Sequence, residues 1–276
     1  MKTILVPTDF SPGSRNAAKY AVDMAAATDA SLILFHVYTI PVAYSGEIPL
    51  VLVSVDDLRK NSEASLDDLK KDMLLYSNGK ASVSTETVMG DTIDELKKVC
   101  SRIRPFAVVM GTKGTTGLAR IIFGSTVLTA IRQLEWPVLC VPPEKKYGRG
   151  IKQIGFACDL KDVSLTTPSG LIGTITTAFD ATLHIMNVDH KDKHFTAATP
   201  AEFSTLHEMF DELNPFYHYL DNPDIAEGIL QFALTWQLDL IIAIPKKHKF
   251  LEGILKQSST KQLIALSQVP VLCVHE

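Results

Sequence analysis

The sequence is short of several things that would assign it to a class at once. Only four of its 276 residues are cysteine, and none forms a Cys-x-x-Cys pair. That excludes a disulfide framework and is the usage of a reducing compartment. Cys140 and Cys273 fall inside apolar runs, where the thiol behaves as a small hydrophobe. No apolar run reaches the ~18 residues of a membrane span. The N-terminal Ile4-Leu5-Val6 runs directly into Pro7-Thr8-Asp9, too short an apolar stretch for a signal peptide. The expectation is a soluble, cytoplasmic protein with no membrane partner. An excess of one charge is missing too: 27 basic against 31 acidic residues leave a net charge of −4. So weak a balance argues against nucleic acid as a partner. There is no Gly-x-Ser-x-Gly elbow and no Ser/His/Asp set with a local signature, so no catalytic residue is assigned. The Walker pattern and the dinucleotide fingerprint are both absent.

What is present centres on Ala107 to Val141. An apolar run, Ala107-Val108-Val109-Met110, reads as a buried strand. Gly111-Thr112-Lys113-Gly114 follows, then nine residues, then Gly124-Ser125-Thr126 and a helical pattern from Val127 to Glu135. Strand, glycine loop and helix start form an arrangement that cradles phosphate. Glycine lets an anion approach backbone N–H groups, and the helix N-terminus adds its positive dipole end. The alternative is that these glycines only make turns.

Around this stretch, strands and helices alternate. Ile4 to Pro7 is a strand, Ser11-Pro12 an N-cap with proline at the first helical position, and Ser31 to Val37 the next strand. Ala17, Ala18, Ala21, Val22, Met24 and Ala25 form the apolar stripe of the helix between them. Tyr38 to Val55 reads as an irregular loop over the sheet edge, Val55 to Tyr76 as a helix and Val83 to Val88 as a strand. Thr92-Ile93-Asp94-Glu95 has the form of a capping box with Thr92 as the cap. Pro142 to Gly150 reads as a linker, and the pattern then restarts. Ile154 to Asp159 matches Ile4 to Asp9, Ala181 to Val188 matches Ala30 to Val37, and Pro270 to Val274 matches Pro137 to Val141. This is a duplicated domain with a repeat of about 135 residues. Domains are expected at 1–143 and 150–276, joined by 144–149. The second copy reads as more irregular between His190 and Pro223.

Doubly apolar strands alternating with helices mean parallel sheets covered on both faces, which bind ligands at the strand carboxyl ends. Those ends carry Pro7-Thr8-Asp9, Val37 and Met110-Gly111.

Nearly the whole chain resembles a tandem universal stress protein. The residues that carry the likeness are Val6 to Ser11, Gly90-Asp91-Thr92, the Gly111/Gly114/Gly124-Ser125 spacing and Trp136 to Val141. The resemblance implies two doubly wound, five-stranded parallel-sheet domains of strand order 3-2-1-4-5, of the adenine nucleotide alpha-hydrolase-like kind. It implies ATP as ligand, with Mg²⁺ optional. Asp9 would face the adenosine, beside Pro7 and Thr8, and the Val37 backbone would face adenine. Gly111, Gly114, Gly124, Ser125 and Thr126 would hold the phosphates, with Met110 also among the cofactor-binding residues. Lys113 either adds a charge contact or is a solvated loop lysine, and Asp9 has the alternative of an N-cap-like structural role.

The second copy departs from this pattern. Ala243 replaces the first glycine, Pro245-Lys246-Lys247-His248-Lys249 fills the loop, and Ser258-Ser259 stands in place of Gly124-Ser125. Side chains occupy space the glycines left open, and Pro245 has no N–H to offer. The Lys/His cluster either holds another anion or is a solvated basic loop. Asp159 is retained. Seven of the eight histidines lie in this half. His190, His194 and His207 raise a metal site as one reading and scattered loop histidines as the other.

The resulting expectation is a stress-response protein that binds ATP in its first domain and acts as a nucleotide-dependent signalling or scaffold protein with an unidentified protein partner. Binding would order the loops Tyr38–Val55 and Thr112–Phe123. The rivals are a nucleotide-free interaction module and, on the same sheet, a slow ATPase or adenylate-forming enzyme. The signatures His-x-Gly-His and Ser-Gly-Gly-x-Asp-Ser of the last class are missing. The apolar last strands, Val138 to Val141 and Val271 to Val274, are expected to pair antiparallel within one chain, imitating a homodimer. A dimer of chains is a further option.

Overall fold

The computed structural model describes residues 2–40, 42–45, 48–51, 54–112, 124–191, 195–245 and 259–275. The chain divides into two compact units, Met1–Val138 and Leu139–Glu276.

The first unit runs β1 (Thr3–Pro7), α1 (Pro12–Thr28), β2 (Ser31–Tyr38), β3 (Val42–Ser45), β4 (Ile48–Val51), α2 (Val55–Tyr76), β5 (Ser82–Met89), α3 (Thr92–Ile103), β6 (Ala107–Gly111), α4 (Ser125–Gln133) and β7 (Val138–Val141). Its strands lie in the order β5-β2-β1-β6-β7, with β1 parallel to both β2 and β6, and β2 parallel to β5. Val108 N–H donates to Pro137 O at 2.8 Å, which brings the chain in beside β6 at the start of β7. Ile4, Leu5 and Val6 have no exposed surface, as a strand covered on both faces requires. The alanines of α1 at 17, 18, 21 and 25 are equally buried, and their small side chains let the helix lie close on the sheet.

Two expectations are corrected here. The stretch Tyr38 to Val55 is not wholly irregular, because β3 and β4 pair antiparallel as a separate hairpin. Pro49 fits there because both strands of a two-stranded ribbon are edges. The cap of α3 is Asp91, not Thr92: its carboxylate accepts from Ile93 N–H at 2.9 Å and Asp94 N–H at 3.2 Å. A carboxylate satisfies the first-turn donors and the helix dipole together, which a hydroxyl does less well.

The second unit repeats the arrangement with β8 (Gln153–Ala157), α5 (Val163–Thr166), α6 (Ser169–Phe179), β9 (Thr182–Asp189), α7 (Thr199–Phe210), β10 (Phe216–Asp221), α8 (Ile225–Thr235), β11 (Leu240–Ala243), α9 (Ser259–Leu266) and β12 (Val271–Cys273). The order β10-β9-β8-β11-β12 is again parallel throughout. Both units therefore have the strand order 3-2-1-4-5. The stretch His190 to Pro223 holds a regular helix and strand, α7 and β10, rather than mainly irregular chain. The single α1 of the first unit corresponds to two pieces, α5 and α6. Pro168 lacks an N–H and pushes Thr167 to extended angles, φ −105° and ψ 108°.

Cys100, Cys140, Cys158 and Cys273 are buried free thiols. Burial alone pushes the Cys100 thiol up to about 12. Among the described residues no helix is long and apolar enough to cross a membrane.

Candidate functional site

In the first unit β2, β1 and β6 are adjacent, so Val37, Pro7 and Gly111 come to the same end of the sheet. The last β1 residue, Pro7, pairs with Phe35, while β2 runs on to Tyr38. Past Phe35 the turn after β1 takes the place of a strand. Thr8 N–H donates to Phe35 O at 2.8 Å, and His36 Nδ1 donates to Thr8 O at 2.8 Å.

Short side chains build this turn. Thr8 Oγ1 accepts from Phe10 N–H at 3.0 Å and bonds Ser14 Oγ at 3.0 Å. Asp9 Oδ1 accepts from Ser11 N–H at 3.1 Å, and Ser11 Oγ caps α1 through Ser14 N–H at 3.2 Å. Phe10 takes φ +63°, with its ring 4.5 Å from that of His36. Thr8 is buried and its hydroxyl is engaged in these bonds, whereas Asp9 is exposed. Desolvation acts to raise the Asp9 pKa, but hydrogen bonds from Ser11 and Ser14 outweigh it and hold the carboxyl below its ordinary value. Asp9 is thus an ionised acceptor fixed at a strand end. It also makes the structural turn contact that was its alternative reading.

The glycines of the signature differ in what the fold asks of them. A Cβ on Gly111 would stand 2.7 Å from the carbonyl carbon of Gly13, because the first turn of α1 packs directly on the end of β6. Packing alone requires glycine there. Gly124 has φ −56° and ψ 125°, and among the described residues a Cβ would meet only Val127 Cγ2 at 3.9 Å. Its conformation does not require glycine, and neither does packing against any described residue. Ser125 and Thr126 open α4 and are exposed, and among the described residues no side chain caps the helix. Val127 N–H donates to Gly124 O at 3.1 Å, while the N–H groups of Ser125 and Thr126 have no partner within the helix. Met110 is buried behind Gly111. Lys113 and Gly114 lie outside the described residues.

The sequence model described as the universal stress protein family matches residues 1–142 and 170–275. The chain belongs to the universal stress protein family. Over 147 residues it is 31% identical to the universal stress protein MJ0531 of Methanocaldococcus jannaschii, covering 52% of this chain and 84% of that one. It is 27% identical over 152 residues to MJ0577 of the same organism, covering 51% of this chain and 94% of the relative. The crystal structure of a universal stress protein from Archaeoglobus fulgidus superposes with a TM-score of 0.73 at 15% identity, over 99% of this chain and 98% of that one. A likeness at that identity shows the shared fold.

The segment between the two universal stress protein matches contains the place where the second unit departs most. Leu160, at φ +52°, keeps the left-handed turn of Phe10, and Asp159 keeps the position of Asp9. Beyond them the helix is broken, and Ala243 fits at the end of β11. Pro245 is buried. Lys246, Lys247, His248, Lys249 and Ser258 lie outside the described residues, and Ser259 opens α9.

Two histidines of this unit are brought together in a way the sequence did not announce. His184, on β9, is 2% exposed; its Nδ1 lies 3.0 Å from His218 Nε2 and its Nε2 donates to Gln153 Oε1 at 2.7 Å. Phe216, Phe232 and Trp236 pack around the pair. Desolvation, with the repulsion of His218, lowers the His184 pKa, and desolvation lowers that of His218. The histidines weighed for a metal site serve other contacts: His190 Nδ1 is 2.7 Å from Asp221 Oδ1, and His207 stacks on Tyr217 with centroids 3.8 Å apart. Among the described residues no three His, Cys, Asp or Glu side chains gather to hold a metal. His194 is not among them.

Sequence reasoning also missed a cavity of about 600 Å³ at the ends of β9 and β10. The sequence signal was an aromatic series, Phe195, Phe203 and Tyr219, but its convergence depends on how α7 packs against β10.

Proposed function

We propose that the first unit binds ATP, with Mg²⁺ optional, and that the protein acts in stress response as a nucleotide-dependent signalling or scaffold protein. Asp9 takes a hydroxyl of the adenosine, and the Val37 backbone faces the adenine edge. Gly124, Ser125 and Thr126 receive phosphate at the start of α4. The observation that supports this reading is Gly124, a glycine that no described residue requires by packing, next to a helix start that no described side chain caps. An approaching anion supplies the reason for the missing side chain.

Calorimetry on the full chain tests it. ATP is expected to bind saturably. Gly124→Val abolishes the heat with little change in melting temperature, because no described residue comes closer than 3.9 Å to the added Cβ. Asp9→Asn weakens binding by about tenfold, the scale of losing one charge-assisted hydrogen bond. No heat with millimolar ATP would favour the nucleotide-free interaction module. Gly111 lends that rival some support, since packing explains it completely.

A further inference from the structure

The second unit has kept its strand-end aspartate while losing the phosphate glycines, and a cavity lies beside that aspartate. The cavity, about 600 Å³, is in the size range of small-molecule sites. It sits at the carboxyl ends of β9 and β10, the position where open parallel sheets hold ligands. Two features of its wall define the chemistry. Part of the lining is aromatic: Phe203 of α7 and Tyr219 of β10 lie with ring centroids 5.5 Å apart, and Phe195 is a third aromatic residue. Tyr219 is 61% exposed and Phe195 58%, so a large apolar area faces solvent unless something covers it. The lining also includes three acidic residues, Asp159, Asp189 and Asp221. Asp189 Oδ1 already accepts from His190 N–H at 2.8 Å and Asp221 Oδ1 lies 2.7 Å from His190 Nδ1, but a carboxylate accepts more than one hydrogen bond. Lys161 and Lys191 also reach the rim, and both are exposed, strongly hydrated heads.

We propose that this cavity binds a small aromatic amine, its ring against Phe203 and Tyr219 and its ammonium among the three aspartates. Aromatic faces and carboxylates both attract a cation, so the two parts of the lining favour the same ligand. A polyphosphate is disfavoured, because carboxylates stand where it would need donors. A second, smaller cavity of about 150 Å³ shares Asp159, Val188 and Ile225 with the first and includes Thr167 and Ala243. The break between α5 and α6 thus lies beside the same aspartate and enlarges the available space.

The proposal is independent of whether the first unit takes ATP. Tryptamine is the probe and indole-3-propionate its anionic counterpart, each titrated into the dialysed full chain by calorimetry and ligand-observed NMR. Tryptamine is expected to saturate below millimolar concentration, with the acid weaker by about tenfold or more. Saturating ATP leaves the tryptamine isotherm unchanged, which separates this site from the first unit's. Tyr219→Ala, at an exposed position that leaves the melting temperature unaltered, weakens tryptamine by about fivefold, and Asp221→Asn does so by about threefold. No binding at millimolar tryptamine, equal binding of the acid, competition by ATP, or an unchanged affinity in a folded Tyr219→Ala would each overturn the proposal.

Discussion

The two units of this chain share a strand order and differ, besides the β3–β4 hairpin, in the helix after the first strand. In the first, α1 is an unbroken helix of 17 residues whose opening turn lies against Gly111. In the second, its counterpart is α5 of four residues and α6 of eleven, and the strand end carries Ala243. The comparison separates what holds the sheet from what shapes its ligand end. Buried apolar strands are kept in both copies, since losing them would cost the core. The turn from first strand to first helix is free to change, and there a packed, fixed aspartate becomes an aspartate beside a cavity. A duplicated domain can thus retain its fold and alter what its strand ends receive.

The strongest way to break this comparison is to count nucleotide. One ATP per full-length chain is expected at saturation, and two sites of equal affinity would show the copies to be functionally alike. Next in size is the pair Gly111→Ala and Ala243→Gly. The first forces a Cβ onto the Gly13 backbone, which cannot rotate away, and is expected to cost about 1–3 kcal/mol in urea unfolding or more. The second removes a methyl group from a strand end and costs about 1 kcal/mol or less. Equal costs would mean that the first turn of α1 yields easily.

The His184–His218 pair belongs to the second unit alone and gives it a pH dependence. Both histidines have folded pKa values below the ordinary 6.5, so the unfolded chain binds protons more readily there. Their contribution is complete above about pH 6.5 and is lost as pH falls through the lowered folded values. Melting temperature is expected to drop from pH 7.5 to 5.5, and His184→Gln to flatten that slope. A slope unchanged by the substitution would place the titration elsewhere.

The smallest expected effects concern the helix starts. Ser11→Ala removes the cap of α1 at a cost of about 1 kcal/mol. Asp162 precedes α5 at φ +49° with no side-chain cap bond, so Asp162→Gly gains about 0.5 kcal/mol by relieving a left-handed aspartate. Thermal unfolding of the two variants is expected to move in opposite directions.

Much of the fold was legible because its signals are local. Helix α2 begins at Val55 and ends at Tyr76 as its periodicity indicates, and Ser11-Pro12 opens α1. Placing the cap at Thr92 failed because two adjacent residues both qualify, and a carboxylate wins over a hydroxyl. The hairpin of β3 and β4 was hidden by Pro49. The candidate site was legible only in part. Pro7, Asp9, Val37 and Gly111 do meet at one sheet end, as the parallel order demands.

By itself the sequence determined the duplication, the alternation of buried strands with amphipathic helices, and hence a parallel sheet in each unit. Those follow from periodicities carried by neighbouring residues. The tertiary structure alone decided which glycine is a packing necessity, which aspartate stands beside a cavity, and which histidines touch. Gly13 and Gly111, or His184 and His218, become neighbours only when separate elements pack. The steric and electrostatic consequences of such contacts depend on fractions of an ångström that no local pattern encodes.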